Sequence, residues 1–164
     1  MKELLKQLAA YNVWANQRIT DVILSLPEEK QKAEIASSFN SLHATLLHIW
    51  DAESIWWQRM KLHERFVRPS DNPKDSTRDV INGLLSQSKL WEGWVGNASE
   101  FSLDHVFQFN NKKGEPVKMY IYQMLVHVFN HSTYHRGQLI NMLRQLGIEK
   151  VPTTDFALWV RNKK

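Results

Sequence analysis

His127, His131 and His135 stand four residues apart in the last third of the chain. On a helix, residues four apart project from the same face. A neighbouring pair of imidazoles can then hold one metal ion from a single helix, the arrangement of the zinc proteases. Those enzymes place a Glu directly after the first His; Ser132 follows His131 here, so the protease reading has no support. Two ligands leave an ion short. His48 is the best candidate for a third, because it lies with Thr45, Ala52 and Ile55 on the inward edge of another helical stretch. His43 is about 140° away around that helix, so His43 and His48 cannot serve one site. The chain contains no cysteine. Thiolate ligands and disulfides are excluded, and any thiol chemistry must draw its thiol from a second molecule. The competing reading is plain: a lone His on an apolar face is usually a satisfied core residue, and His pairs four apart also arise on surface helices.

Four stretches have the periodicity needed to position these rings. The first runs from about Lys2 to Leu26, with Leu4, Leu8, Tyr11, Ala15, Ile19, Val22 and Leu26 as its stripe and Pro27 closing it. The second spans about Ser41 to His63, with Asn40 or Ser41 as N-cap and Leu42, Leu46, Ile49, Trp56 and Met60 beside the His48 stripe. Pro69, Asp71, Asn72 and Pro73 mark a loop. The third helix starts near Asp75-Ser76 and ends near Asn97, burying Ile81, Leu84, Ser88, Trp91 and Val95. Short alternating runs within Asp104–Met119 flank Asn110-Asn111-Lys112-Lys113-Gly114 and predict a small hairpin. The fourth helix runs from about Tyr120 to Leu146, with Gly147 at C′. Its core side carries Ile121, Leu125, Val128, His135, Leu139, Met142 and Leu146. Beyond Pro152, Thr154 or Asp155 can cap a last short turn. The expectation is one all-α domain over residues 1–164: an antiparallel four-helix bundle with a small β-hairpin before the last long helix.

The 164 residues are 43% hydrophobic and 23% charged, a globular composition. Seven Trp and seven Phe imply a largely aromatic core. The amphipathic first thirty residues do not form a secretory apolar segment, and no run reaches the length of a membrane span, so the cytoplasm is the expected location and no membrane partner is expected. The net charge of +4 is scattered, with only a loose group at Arg59, Lys61, Arg65 and Arg68. Nucleic-acid binding calls for a denser basic stripe.

His131-Ser-Thr-Tyr-His135-Arg136-Gly137-Gln138-Leu139 resembles the C-terminal helix signature of the DinB/YfiT-like superfamily, and Asn130 before it also fits. Leu47-His48-Ile49-Trp50-Asp51-Ala52-Glu53 resembles that family's first motif. Tyr11-Asn12-Val13-Trp14-Ala15-Asn16-Gln17-Arg18 is similar to its first-helix opening, and Pro152-Thr153-Thr154-Asp155-Phe156 to its tail. The resemblance implies a four-helix bundle, often a homodimer, with His48, His131 and His135 as the ligands of one divalent metal ion and His127 outside the triad. Zinc or nickel is the expected metal, with iron a further candidate. It also implies a metal-dependent thiol S-transferase, or a related hydrolase or isomerase, acting on small electrophiles with a low-molecular-weight thiol as cosubstrate. The alternative is a non-catalytic, damage- or stress-inducible dimeric metal-binding protein. Asp51, Asn130 and Gln138 are candidates to orient the rings; Asp51 and Glu53 equally suit a solvated helix face. Arg136 either orients an anionic substrate or pairs with a carboxylate on a neighbouring helix. Gly137 suggests close helix approach. Tyr11, Trp14, Trp50, Trp56 and Trp57 read first as packing residues.

Overall fold

A computed structural model describes residues 1–72, 76–111 and 113–162. Four long helices carry the fold: α1 (Lys2–Leu24), α3 (Leu42–Met60), α4 (Thr77–Asn97) and α6 (Ile121–Gln145). Short helices α2 (Glu28–Lys32), α5 (Glu100–Leu103) and α7 (Phe156–Arg161) lie in the connections and tail. Strands β1 (Val106–Asn110) and β2 (Pro116–Tyr120) pair antiparallel, with Val106 opposite Tyr120 and Asn110 opposite Pro116. No helix is long and apolar enough to cross a membrane among the described residues.

The helix ends follow local chemistry. Ser41 Oγ accepts the Ala44 backbone N–H at 3.0 Å, and Ser76 Oγ accepts that of Asp79 at 3.4 Å, so each serine satisfies one donor that its helix leaves free. Asp75 and Pro73, expected near the start of α4 and in the loop before it, lie outside the described residues, as does Lys112 of the hairpin turn. In that turn Asn111 Oδ1 accepts the backbone N–H groups of Lys113 and Glu115. Gly147 has φ +80° after α6, the left-handed C′ position that favours glycine. Pro69–Asp71 form a 3-10 turn rather than an open loop.

Two large apolar clusters fill the two ends of the bundle, and a smaller one packs Tyr11 and Ala15 of α1 against Trp159. One joins Leu5 and Ala9 of α1 to Trp91 and Val95 of α4 and to Met124 and Val128 of α6. The other joins Ile19 and Ile23 of α1 to Leu42 and Leu46 of α3, Ile81 of α4 and Met142 of α6. Thus α1 and α6 run one way and α3 and α4 the other, placing α1 antiparallel to α4 and α3 antiparallel to α6. The stripe of α1 differs from expectation at its start: Leu5 and Ala9 are buried, while Leu4 is 51% exposed. At the first turn of α1, Leu5 enters the cluster and Leu4 is left facing solvent.

Between the clusters lies a buried polar layer with members on every long helix. Glu53, 1% exposed, accepts hydrogen bonds from Asn12 Nδ2 (2.9 Å), Ser88 Oγ (2.9 Å) and Ser132 Oγ (3.0 Å). Arg136, also 1% exposed, donates from Nη1 to Asn12 Oδ1 (2.7 Å) and Asn16 Oδ1 (2.8 Å). The solvated-face reading of Glu53 is therefore corrected: its neighbours four residues either side, Ile49 and Trp57, face the core, and the carboxylate follows them inward. Burial raises its pKa, opposed by its hydrogen-bond donors and by the charge of Arg136. Buried polar groups of this kind specify one arrangement of their helices when all partners are met.

Candidate metal centre

His48 from α3 meets His131 and His135 from α6 where these antiparallel helices cross. His48 Nε2 lies 3.2 Å from His131 Nε2, and His135 Nε2 lies 3.1 Å from it. One ligand atom from each of the three lies within 4.8 Å of the other two. His43 is elsewhere: its Nδ1 is 3.0 Å from Thr77 Oγ1. Phe39, from the link before α3, stacks on His48 with ring centroids 4.0 Å apart and presents its plane edgewise to His135 at 5.7 Å. Nothing in the spacing of the sequence marked Phe39, because that link has no period to place it.

The tautomers follow from the partners. Gln138 Nε2 donates to Ser38 Oγ, which leaves Oε1 to accept from His135 Nδ1 at 2.7 Å. His135 therefore carries its proton on Nδ1 and points a lone pair from Nε2 at His131. His131 Nε2 holds at most one proton, so it cannot donate to both His48 and His135. His131 Nδ1 is buried without a partner. Burial, then the charges of His135, His48 and His127, push the His131 pKa down to about 4. Burial also lowers that of His135. Converging imidazole nitrogens are a cation's donor set. A tetrahedral ion bound at about 2.0–2.1 Å sets its nitrogens roughly 3.3 Å apart, close to the 3.2 Å and 3.1 Å that His48 and His135 keep from His131.

Other residues land differently from expectation. Asp51 Oδ1 accepts the Ser70 backbone N–H at 2.9 Å and docks the 3-10 turn on α3. Asn130 is exposed. Arg136 faces α1, its guanidinium 5.3 Å from the Tyr11 ring, so the buried network takes the place of an anionic substrate as its partner. Being adjacent to His135 in sequence puts it about 100° around the helix. Gly137 is exposed, and a Cβ there would meet open space, which overturns the close-approach reading. The close approach belongs to Gly83, where a Cβ would run into the Trp50 indole. Tyr11 packs on Phe156 and Trp159 and donates to Thr154 O at 2.6 Å, pinning the tail. Trp14 packs beside Tyr11, and Trp57 lies edge-on to Trp91.

A model of the DinB family matches residues 1–162. The chain belongs to the DinB family. It is 28% identical to Protein DinB of Bacillus subtilis (strain 168) over 169 residues, covering 98% of this chain and 95% of that one. Its fold is similar to the crystal structure of a DinB-like protein from Bacillus cereus ATCC 10987, with a TM-score of 0.64 and 22% identity over 85% of this chain and 89% of that one. As a DinB-family protein it has a three-His cluster able to hold a metal ion.

A cavity of about 520 Å³ opens beside the cluster, with His48 and His131 in its wall. Ile55, Trp56, Phe109 and Val117 supply its apolar lining, and His127 lies at its side. His127 stays outside the cluster, its ring edge-on to Trp56 at 5.0 Å and 6.1 Å from His131. Burial and the nearby charge of Arg59 lower its pKa. The hairpin supplies Phe109 because Phe107, two residues earlier on the same face, is anchored in the core.

Proposed function

We propose that this DinB-family protein holds one divalent metal ion through His48, His131 and His135 and transfers a low-molecular-weight thiol to a small electrophile. The observation that carries the reading is the convergence of three imidazole nitrogens beside a cavity of about 520 Å³ whose wall includes two of the same rings. Zinc or nickel suits three imidazoles, with iron a further candidate. Three protein ligands leave a position open, as catalytic sites do. An ion there supplies Lewis-acid chemistry, favouring the anionic form of a thiol or water in the open position.

The chain's own residues do the rest. Gln138 fixes the His135 ring through Nδ1, and Phe39 shields His48 from water. Ile55, Trp56 and Val117 hold the electrophile by its apolar body. His127, neutral at pH 7 and set at the cavity wall, takes the thiol proton on a ring nitrogen. The sulfur then bonds to the electrophilic carbon, and the leaving group departs with its electron pair. A chain without cysteine needs the thiol from solution.

The test uses protein stripped of metal and then reconstituted with zinc, mixed with 2-mercaptoethanol and chlorodinitrobenzene. Thioether formation above the uncatalysed rate should require the metal and disappear in His131→Ala. One ion per chain with no turnover against a panel of electrophiles would instead make the protein a structural or sensory metal binder.

A further inference from the structure

Arg59 stands out in the cavity wall because, among the described residues, no carboxylate or hydrogen-bond acceptor meets its guanidinium. Its guanidinium carbon lies 4.6 Å from the Trp56 ring centroid, 4.8 Å from Phe109 and 5.6 Å from Phe66. Its Nε is buried without a hydrogen-bond partner, and no ion pair reaches it among the described residues. A guanidinium keeps its charge in a protein. Aromatic faces hold it as a cation but accept none of its in-plane N–H groups. Arg68, the second cation of the wall, is already joined to Asp71 at 2.7 Å. Asp51, the wall's carboxylate, takes the Ser70 N–H. Among the described residues the cavity therefore presents Arg59 as an uncommitted cation next to an aromatic and aliphatic lining, and a buried donor without a partner is costly unless a ligand supplies one.

We propose that Arg59 is the anion-recognising residue of this cavity, and that the small molecule bound there carries a carboxylate on an apolar, preferably aromatic, body. The carboxylate accepts from the Arg59 guanidinium, and the body packs on Trp56, Phe109, Ile55 and Val117. Arg fits this role through its planar fork, which matches a carboxylate in two-point contact. The proposal rests on reading the cavity as the substrate cleft, but not on the metal.

Trp56 gives the test its signal. Phenylacetate, the uncharged phenylacetamide and inorganic phosphate are titrated into the protein while tryptophan fluorescence is followed, with calorimetry in parallel. Phenylacetate should bind about tenfold to a hundredfold more tightly than phenylacetamide, the range of a charged hydrogen-bonded pair. Arg59→Gln should abolish that preference and leave phenylacetamide unaffected, whereas Arg59→Lys should keep part of it. Thermal melts of both variants, expected to match wild type because the side chain is only half-buried, exclude misfolding as the cause. Equal affinity for phenylacetate and phenylacetamide in wild type, or an unchanged preference in Arg59→Gln, overturns the proposal. Phosphate binding as tightly as phenylacetate overturns the aromatic-carboxylate assignment in favour of a general anion site. The titration is repeated on His135→Ala, which removes a cluster nitrogen but no wall residue. Loss of metal with the carboxylate preference retained leaves the proposal standing whatever becomes of the metal reading. Loss of the preference in that variant counts against it.

Discussion

In protein stripped of metal by a chelator, His131 should make stability fall as the pH drops from 6.5 towards 4. The folded chain holds this ring's pKa at about 4, against an ordinary 6.5. The unfolded chain protonates it near 6.5. Between those values the unfolded state binds more protons, so acid favours unfolding. The contribution is fully present above 6.5 and is lost as the pH approaches the folded value. At about 1.4 kcal/mol per pH unit the whole gap corresponds to roughly 3.4 kcal/mol. The ring is only partly shielded from water, so screening leaves about 1–2 kcal/mol. Urea unfolding of wild type and His131→Asn, each at about pH 7.5 and about pH 4, measures it directly. Wild type should lose about 1–2 kcal/mol more than the variant over that interval. Glu53 also titrates with a displaced pKa, but in both proteins, so its contribution cancels. Equal acid losses in the two proteins would refute the claim that burial among other imidazoles keeps this ring neutral.

The buried polar layer predicts that Glu53→Ala destabilises by about 3–5 kcal/mol, since Arg136 is left as an uncompensated buried cation; Glu53→Gln, which keeps an acceptor for Asn12 and Ser132, should cost less by the same urea assay. Two of the helical glycines, Gly83 and Gly137, should respond oppositely. Gly83→Ala drives a methyl into the Trp50 ring and should cost about 1–3 kcal/mol, whereas Gly137→Ala faces open space and should gain about 0.5–1 kcal/mol. Thermal melts of both variants, with the signs reversed or equal, would contradict this packing. The family resemblance and the surplus of Trp in the first two long helices predict a homodimer, so light scattering should give twice the 19.3 kDa chain mass, and the chain mass alone would remove the expectation.

Long-period features were legible in the sequence and single-residue environments were not. The stripe of α4, Ile81 to Val95, is buried throughout as its spacing predicts, because a helix packed on one side repeats its environment every turn. The meeting of His48 with His131 and His135 was legible through the one-turn spacing of the α6 pair and the resemblance of both motifs. Glu53 was not legible, since its burial depends on Asn12, Ser88 and Ser132 arriving from three other helices. Arg136 shares that history: its sequence neighbour is a cluster residue, but one step along the helix turns it about 100° away, towards α1. The cavity was hidden for a related reason. Its wall combines α3, α6 and the hairpin, and only the fold brings Arg59 of the loose basic group against Trp56 and Phe109.

The metal content of protein purified without a nickel column tests the central claim most directly. Elemental analysis should find one divalent ion per chain in wild type and in His43→Ala, and little in His48→Ala, His131→Ala or His135→Ala. Wild type free of metal after incubation with zinc, nickel or iron would contradict the account, as would equal metal content in His43→Ala and the three cluster variants.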